Sequence, residues 1–308
     1  MRKIKNINKK YDNNKPPKIN LSDDIQLNAL SKAKLGLNYV LLILWTAIIL
    51  LPVIGVIIAA FNTSSENYLN LTDIKLGFDN FIKLFQTEGV YFSNWLVNSL
   101  IVSICTMLVT VFMVSLTGYA YSRFRFKGRK ISILAIMLIQ MIPSILALIA
   151  FYIINKLLNE SLGVPAYASL IIIYSGGAIA GNTFVLKGYL DSISMEIDDS
   201  AKLDGCGNVK TYIRIIMPLA RPMLAIIALW SFIGPFGDVI LPKLLISDPQ
   251  QYTLPVGLYS LLQPNSNKEV FQPLYAAGSL ITALPITGAF MYSQKHLVSG
   301  LASGGVKG

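Results

Sequence analysis

Residues 194–206 read Ser-Met-Glu-Ile-Asp-Asp-Ser-Ala-Lys-Leu-Asp-Gly-Cys, a polar stretch between two long apolar runs. Ser194 is a typical helix N-cap residue, and the helix dipole favours the carboxylates that follow it. Gly205 permits the left-handed turn that ends such a helix. A second amphipathic helix follows, and Pro218 is predicted to end it. Its apolar face, spaced i, i+3, i+4, i+7, comprises Val209, Tyr212, Ile213 and Ile216. The stretch predicts two short helices joined by a glycine turn.

The composition excludes an ordinary soluble domain. Of 308 residues, 54% are hydrophobic and only 14% are charged. Six apolar runs approach the length of about 20 residues that a helix needs to cross a bilayer. They are predicted at 38–61, 95–120, 131–155, 167–187, 219–241 and 275–294. Three are interrupted by Pro143, by Gly234, Pro235 and Gly237, and by Pro285. The sequence therefore predicts an all-α integral membrane protein with six transmembrane helices.

The distribution of lysine and arginine predicts the orientation. Of 26 such residues, twenty-one lie on one side of the predicted membrane: in the leader, in the second and fourth connections between spans, and after the last span. The first, third and fifth connections contain the other five. Basic residues favour the cytoplasmic side. Both termini and the polar stretch are therefore expected in the cytoplasm of a multi-pass plasma-membrane protein. The net charge of +10 reflects this topology, so no nucleic-acid partner is expected.

Two connections on the opposite side are long, at 62–94 and 242–274. The second is rich in amides and aromatic rings, which suit a carbohydrate or a protein surface. A solvated loop with a few interfacial tyrosines explains the pattern equally well. The candidate contact residues are Gln251, Tyr252, Tyr259, Gln263 and Asn265. Asp238, near the outer end of the fifth span, is either a residue of a transport pathway or an interfacial carboxylate.

No catalytic or metal-binding pattern is present in the sequence. It contains no Gly-x-x-x-x-Gly-Lys-Ser/Thr phosphate loop, and neither Cys105, Cys206 nor the single His296 belongs to a ligand cluster. We expect no metal, no cofactor bound by this chain and no enzymatic activity of its own. Any ATP hydrolysis is expected to belong to another polypeptide.

The polar stretch resembles the coupling loop of binding-protein-dependent ABC importer permeases. In that family Glu-Ala-Ala is followed by a glycine and later by an apolar residue, leucine and proline. Here Asp199-Ser200-Ala201, Asp204-Gly205 and Ile216-Met217-Pro218 occupy those places. The departures are aspartate for glutamate, serine for the first alanine, and Cys206 for the usual small apolar residue, and they keep charge and size. The resemblance implies that the loop contacts an ATPase. The residues that it assigns to this contact are Glu196, Asp198, Asp199, Ser200, Ala201, Asp204, Gly205 and Pro218.

The resemblance extends to the type I importer (MetI-like) membrane domain over most of the chain. The ending Gly-Gly-Val-Lys-Gly, together with Tyr252-Thr253-Leu254-Pro255-Val256-Gly257, is similar to the second membrane subunit of maltose/maltodextrin importers. The implied organisation has four parts. They are a cytoplasmic leader (1–37), a first helix with its outer loop (38–94), the importer domain (95–294) with its coupling loop (188–218), and a cytoplasmic tail (295–308).

This resemblance implies the partners. They are a second permease subunit, two copies of an ABC ATPase that uses ATP and magnesium, an extracytoplasmic sugar-binding protein, and the lipid bilayer. The expected function is ATP-driven import of a carbohydrate, maltodextrin or a similar oligosaccharide. Two alternatives remain: an importer permease for another solute, or a secondary transporter without ATP coupling.

Overall fold

The computed structural model describes the backbone of residues 29–63, 75–263 and 268–304, and side chains within 34–63, 75–263 and 272–294. These residues are almost entirely helical, with one isolated β-bridge between Asn62 and Leu76. The α-helices are α1 (Ala29–Phe61), α2 (Asp79–Gln86), α3 (Phe92–Arg123), α4 (Arg129–Gln140), α5 (Leu148–Leu162), α6 (Ala166–Asp191), α7 (Met195–Leu203), α8 (Asn208–Thr211), α9 (Met217–Gly237), α10 (Ile240–Leu245), α11 (Leu254–Ser260) and α12 (Lys268–Gly304).

The chain forms two compact units, one ending at Val53 and the other beginning at Ile54. In the first unit, every described side chain of α1 is exposed, and nearly all of them from Leu35 onward are apolar. A helix that is apolar on all sides is typical of a membrane span. The second unit contains the remaining spans and the polar stretch.

The prediction of six membrane spans is confirmed. Within the described residues, six helical segments are long and apolar enough to cross a bilayer. They are Lys34–Phe61, Phe92–Arg123, Ser144–Leu162, Ala166–Asp191, Asn208–Gly237 and Gln272–Gln294. Four of them lie within four residues of their predicted ends, and the fifth begins eleven residues earlier than predicted. The third is displaced toward the C-terminus.

The predicted interruption at Pro143 is present, but the predicted bounds of the third span, 131–155, are wrong because the helix before the proline ends there. α4 ends at Gln140, and the amides of Met141 and Ile142 bond three residues back in a tight turn. Pro143 has no amide hydrogen and an extended ψ of 125°, which ends the helical pattern. A 3₁₀ turn, Ser144–Ala147, then leads into α5. The membrane-length segment therefore starts after the proline.

The prediction that Pro218 ends the second helix is also wrong. α8 continues through a π-helical turn, Tyr212–Ile216, directly into α9. The Met217 amide bonds to the Tyr212 carbonyl, five residues back. Pro218 therefore lies inside a continuous helix, at the second residue of α9 and just after the π-helical turn. The wider turn also changes the register, so Ile216 is buried while Ile213 is exposed.

α3 lies at the centre of the second unit and packs mainly against α6 and α9. One apolar core surrounds Trp95 and Phe236 near the start of α3 and includes α11. A second core, near the end of α3, includes Val114 and Leu186. α3 and α6 approach closely at Gly118, where an added Cβ would lie 2.8 Å from the Leu186 side chain.

The long outer connections and the segment after the last span are more ordered than expected. The described part of 62–94 contains α2, and that of 242–274 contains α10, a 3₁₀ turn at Pro249–Gln251 and α11. The backbone after the sixth span remains helical through Gly300 as far as Gly304. Residues 305–308 of the tail and residues 1–28 of the leader lie outside the described residues.

Candidate coupling site and outer segment

The predicted first helix of the polar stretch is α7, and both of its ends are capped. The Ser194 side chain accepts the Glu196 amide at 3.3 Å. At the other end Gly205 has φ +78°, the left-handed turn expected from the sequence. Its amide bonds to the Lys202 carbonyl at 3.0 Å, and the Cys206 amide bonds to the Ala201 carbonyl at 2.9 Å. This pair of bonds is a Schellman motif, which gives α7 a fixed end.

Most residues that the sequence assigned to ATPase contact lie on the exposed face of α7. The exposed residues of this set are Glu196, Asp199, Ser200, Asp204 and Gly205. Apolar residues are exposed on α7 and on the helix that follows it. They are Ile197 (37%), Leu203 (90%), Val209 (71%) and Ile213 (58%). We call these nine residues the α7 surface. Its mixture of carboxylates and exposed aliphatic side chains suits a partner with an apolar cleft and basic groups.

Three of the assigned residues do not face outward. Ala201 is buried and Pro218 is half-buried in the first turn of α9. The Asp198 side chain is 5% exposed and forms an ion pair with Arg123, Oδ2 to Nε 2.9 Å. Asp198 therefore holds α7 against its own chain, and its contact with an ATPase stays a prediction.

Arg123 joins three elements at the end of the membrane spans. Its Nη1 donates to the Leu190 carbonyl at 3.0 Å, and its Nη2 donates to the Ile193 carbonyl at 3.2 Å. These carbonyls lie at the C-terminal end of α6, where the helix dipole favours a cation. Beside it, Ser122 donates to Asp191 at 2.7 Å. The last residue of α3 therefore contacts the end of α6 and the buried side of α7.

Near the start of α3, at the end opposite to Arg123, side chains of α3 and α6 form hydrogen bonds with the backbone of the segment 249–254. Trp95 Nε1 donates to the Pro249 carbonyl at 2.7 Å. Asn98 Nδ2 donates to the carbonyls of Gln250 and Tyr252, and the hydroxyl of Tyr167 donates to the Gln251 carbonyl. The amide of Leu254 donates to Ser99 at 2.7 Å. This backbone segment is thus fixed to the spans and leads directly into α11.

The predicted outer contact residues have different environments. Tyr252 is 7% exposed and belongs to the larger core, with Lys243 Nζ donating to its hydroxyl at 2.9 Å. Its side chain is thus covered by its own chain, and its contact with a partner stays a prediction. Gln251 and Tyr259 are exposed and Gln263 is half-exposed, so their contact with a partner stays a prediction. Asn265 lies outside the described residues.

Asp238 follows the last residue of α9, so it lies at the end of the span. Its Oδ2 accepts the Tyr174 hydroxyl at 2.8 Å, and its Oδ1 accepts the amide of Ile240, the first residue of α10, at 2.8 Å. The carboxylate lines a cavity of about 490 Å³, together with Ser144 and Phe151. Asp238 connects α6 with α10, and its role in a transport pathway stays a prediction.

Sequence reasoning missed Arg123, Trp95 and Asn98 as organising residues. Arg123 was counted with the other basic residues of its connection as a mark of topology. Its position at the end of a membrane helix was the available signal, but its partners are distant in sequence. Trp95 and Asn98 lie at the start of a span, and their partners in the segment 249–254 are about 150 residues away in sequence.

Comparison with protein families identifies the class. Residues 111–302 match the model for the binding-protein-dependent transport system inner membrane component, so the chain belongs to this family. It is a multi-pass membrane protein with the MetI-like permease fold.

Individual relatives agree with this assignment. The chain is 41% identical to the maltodextrin transport system permease protein MalD of Streptococcus pneumoniae, over 89% of this chain and 95% of that protein. It is 40% identical to the maltodextrin transport system permease protein MdxG of Bacillus subtilis, over 88% and 95%. It is 39% identical to the galactooligosaccharides transport system permease protein GanQ of the same organism, over 89% and 96%.

Solved structures share the fold. A crystal structure of a bacterial ABC transporter involved in the import of the acidic polysaccharide alginate contains a chain with a TM-score of 0.73 to this one. That chain is 18% identical, and the match covers 87% of this chain and 98% of the other. A structure of a bacterial alginate ABC transporter in complex with an alginate pentasaccharide-bound periplasmic protein gives a TM-score of 0.63 at 20% identity, over 86% and 95%.

Proposed function

We propose that this chain is one of two permease subunits of an ATP-driven importer for maltodextrin or a similar oligosaccharide. The observation that carries the proposal is α7, a helix capped at both ends whose exposed face presents carboxylates and aliphatic side chains beside the spans of a family permease. The names of the relatives support the substrate class, because two transport maltodextrin and one transports galactooligosaccharides.

The chain itself does no ATP chemistry in this proposal. Two copies of a separate ABC ATPase bind ATP and magnesium in the cytoplasm, and one of them receives the α7 surface in a cleft. Leu203 and Val209 fill the apolar part of that cleft, while Glu196 and Asp199 face its basic groups. Closure of the ATPase pair on ATP then displaces α7. Because its N-cap and its Schellman turn hold its ends, α7 moves as a rigid element and the displacement reaches the spans.

Transport also needs partners in the membrane and outside it. A second permease subunit completes the path, and an extracytoplasmic sugar-binding protein delivers the substrate to the face that carries α11. Tyr259 and Gln263 are the residues that we assign to this contact. Their position is supported by the hydrogen bonds that fix 249–254 to α3 and α6. Both ends of the chain lie in the cytoplasm in this arrangement, as the distribution of basic residues favours.

The test is transport by the assembled importer in proteoliposomes. The chain is purified with its partner permease, ATPase and binding protein, and uptake of labelled maltotriose is measured with and without internal ATP. We expect uptake that requires both ATP and the binding protein, and little uptake of a labelled monosaccharide. Uptake that follows a proton or sodium gradient without ATP would indicate a secondary transporter. ATP-dependent uptake of a non-carbohydrate solute alone would indicate an importer for another substrate.

A further inference from the structure

We infer that Arg123 is a positioning residue that makes α7 move together with the cytoplasmic ends of α3 and α6. This inference rests on the proposed coupling function and assigns a path for the displacement within the chain. Without such a connection, α7 would reach the spans only through the short linker 192–194 and the turn after Gly205. Ser194 leaves the helical conformation, with ψ 136°, so α6 and α7 are separate helices and do not form one continuous rod.

The burial pattern shows why α7 needs this connection. Only Asp198 and Ala201 of its nine residues are buried. An alanine contributes little apolar surface, and therefore the hydrophobic effect holds α7 only weakly. The ion pair of Asp198 with Arg123, at 5% and 4% side-chain exposure, is the principal polar contact of its buried side. This pair determines which face of α7 points away from the chain.

The geometry of Arg123 fits a role in orientation. Its three guanidinium nitrogens contact three places: Nε the Asp198 carboxylate, Nη1 the Leu190 carbonyl and Nη2 the Ile193 carbonyl. The two Nη donors fix the guanidinium against the end of α6, and its charge holds the Asp198 carboxylate beside it, whereas a lysine ammonium would act as a single point charge. A buried ion pair adds little stability compared with apolar packing, so its value lies in fixing one arrangement. Rotation of α7 therefore has to carry the end of α3 with it.

The displacement of α7 is consequently transmitted to α3. α3 is the helix that packs against both α6 and α9, so movement at its end affects the centre of the unit. In the reverse direction, a change in the packing of α3 alters the orientation of the α7 surface. Arg123 thereby couples the conformation of the spans to that of the ATPase without contacting either substrate or nucleotide.

Two conservative variants test the inference in the full importer: Arg123→Lys and Asp198→Asn. Arg125→Lys is the matched control, because Arg125 is exposed and two residues away. Substrate molecules imported per ATP hydrolysed are measured in complexes matched for subunit content. Because each variant weakens the connection between α7 and α3, we expect this ratio to fall about tenfold in both variants while ATP hydrolysis persists. The control keeps the ratio of the unmodified complex.

A distance measurement separates positioning from a merely structural role. Spin labels at Met195 of α7 and Leu116 of α3, both exposed, are introduced after Cys105 and Cys206 have been replaced. We expect one narrow distance distribution in the unmodified complex, with and without ATP, and a broad distribution in Arg123→Lys. A parallel loss of ATPase activity and uptake with a narrow distribution would overturn the inference.

The outcomes also distinguish this inference from the proposed function. Normal coupling and a narrow distribution in both variants of a working importer would overturn the role of Arg123 alone. Failure of the unmodified complex to couple uptake to ATP would overturn the proposed function itself.

Discussion

Replacement of Gly205 by valine should uncouple the importer without removing it from the membrane. Gly205 has φ +78°, and its amide and that of Cys206 complete the Schellman motif at 3.0 and 2.9 Å. No atom outside the neighbouring residues lies within 4 Å of a Cβ placed on Gly205. The penalty for a side chain here is therefore conformational and not a clash.

The expected magnitude follows from that backbone conformation. A left-handed residue other than glycine costs about 1–2 kcal/mol, and a β-branched side chain lies at the upper end of this range. A cost of about 2 kcal/mol lowers the population of the native turn about 30-fold relative to alternatives. Asparagine tolerates this region better, so the order of remaining function should be Gly205, then Gly205→Asn, then Gly205→Ala, then Gly205→Val.

The assay is sugar uptake and ATPase activity in reconstituted complexes, with the membrane level of each variant measured separately. Gly207→Val is the matched control, because Gly207 has an ordinary φ of −72° and equal open space. We expect Gly205→Val to assemble with its partners but to import little substrate per ATP. Normal uptake by correctly assembled Gly205→Val, or equal damage from Gly207→Val, would refute the reasoning.

Three further perturbations address other parts of the molecule. Deletion of Gln263–Lys268 should lower the stimulation of ATPase activity by the binding protein while sparing assembly, and unchanged stimulation at every binding-protein concentration would exclude this segment from the contact. Gly118→Val should prevent close packing of α3 on Leu186 and lower the melting temperature of the protein in detergent. An unchanged melting temperature would contradict this packing. Asp238→Ala should destabilise the chain by about 1–3 kcal/mol, because Tyr174 and the Ile240 amide lose their acceptor. Asp238→Asn keeps an acceptor and should lower the melting temperature less, so equal melting temperatures for the two variants would contradict this role.

The local elements of the coupling site were predictable because local residues determine them. Ser194 caps α7, and Gly205 takes the left-handed conformation, since each depends only on backbone geometry within a few residues. The six spans followed from the length of the apolar runs, which reflects the thickness of a bilayer.

Features that depend on distant residues were not predictable from local patterns. The π-helical turn that carries the helix through Pro218 depends on the packing of Ile216 into a core with α3 and α6. The burial of Asp198 depends on Arg123, which lies on another helix. Tyr252 was expected at the surface because amides and tyrosines surround it in the sequence. Asn98 instead donates a hydrogen bond to the Tyr252 carbonyl and fixes this segment against the spans.

The central claim is that this chain docks a separate ATPase through the α7 surface, and site-specific photocrosslinking tests it most directly. A photoreactive amino acid is placed at Leu203, which is 90% exposed on α7, and in a control at Phe78, which is 68% exposed beside α2. In the assembled importer we predict a covalent product with the ATPase subunit from Leu203 and none from Phe78. Absence of that product from Leu203, in complexes that still import substrate at the expense of ATP, would contradict the account.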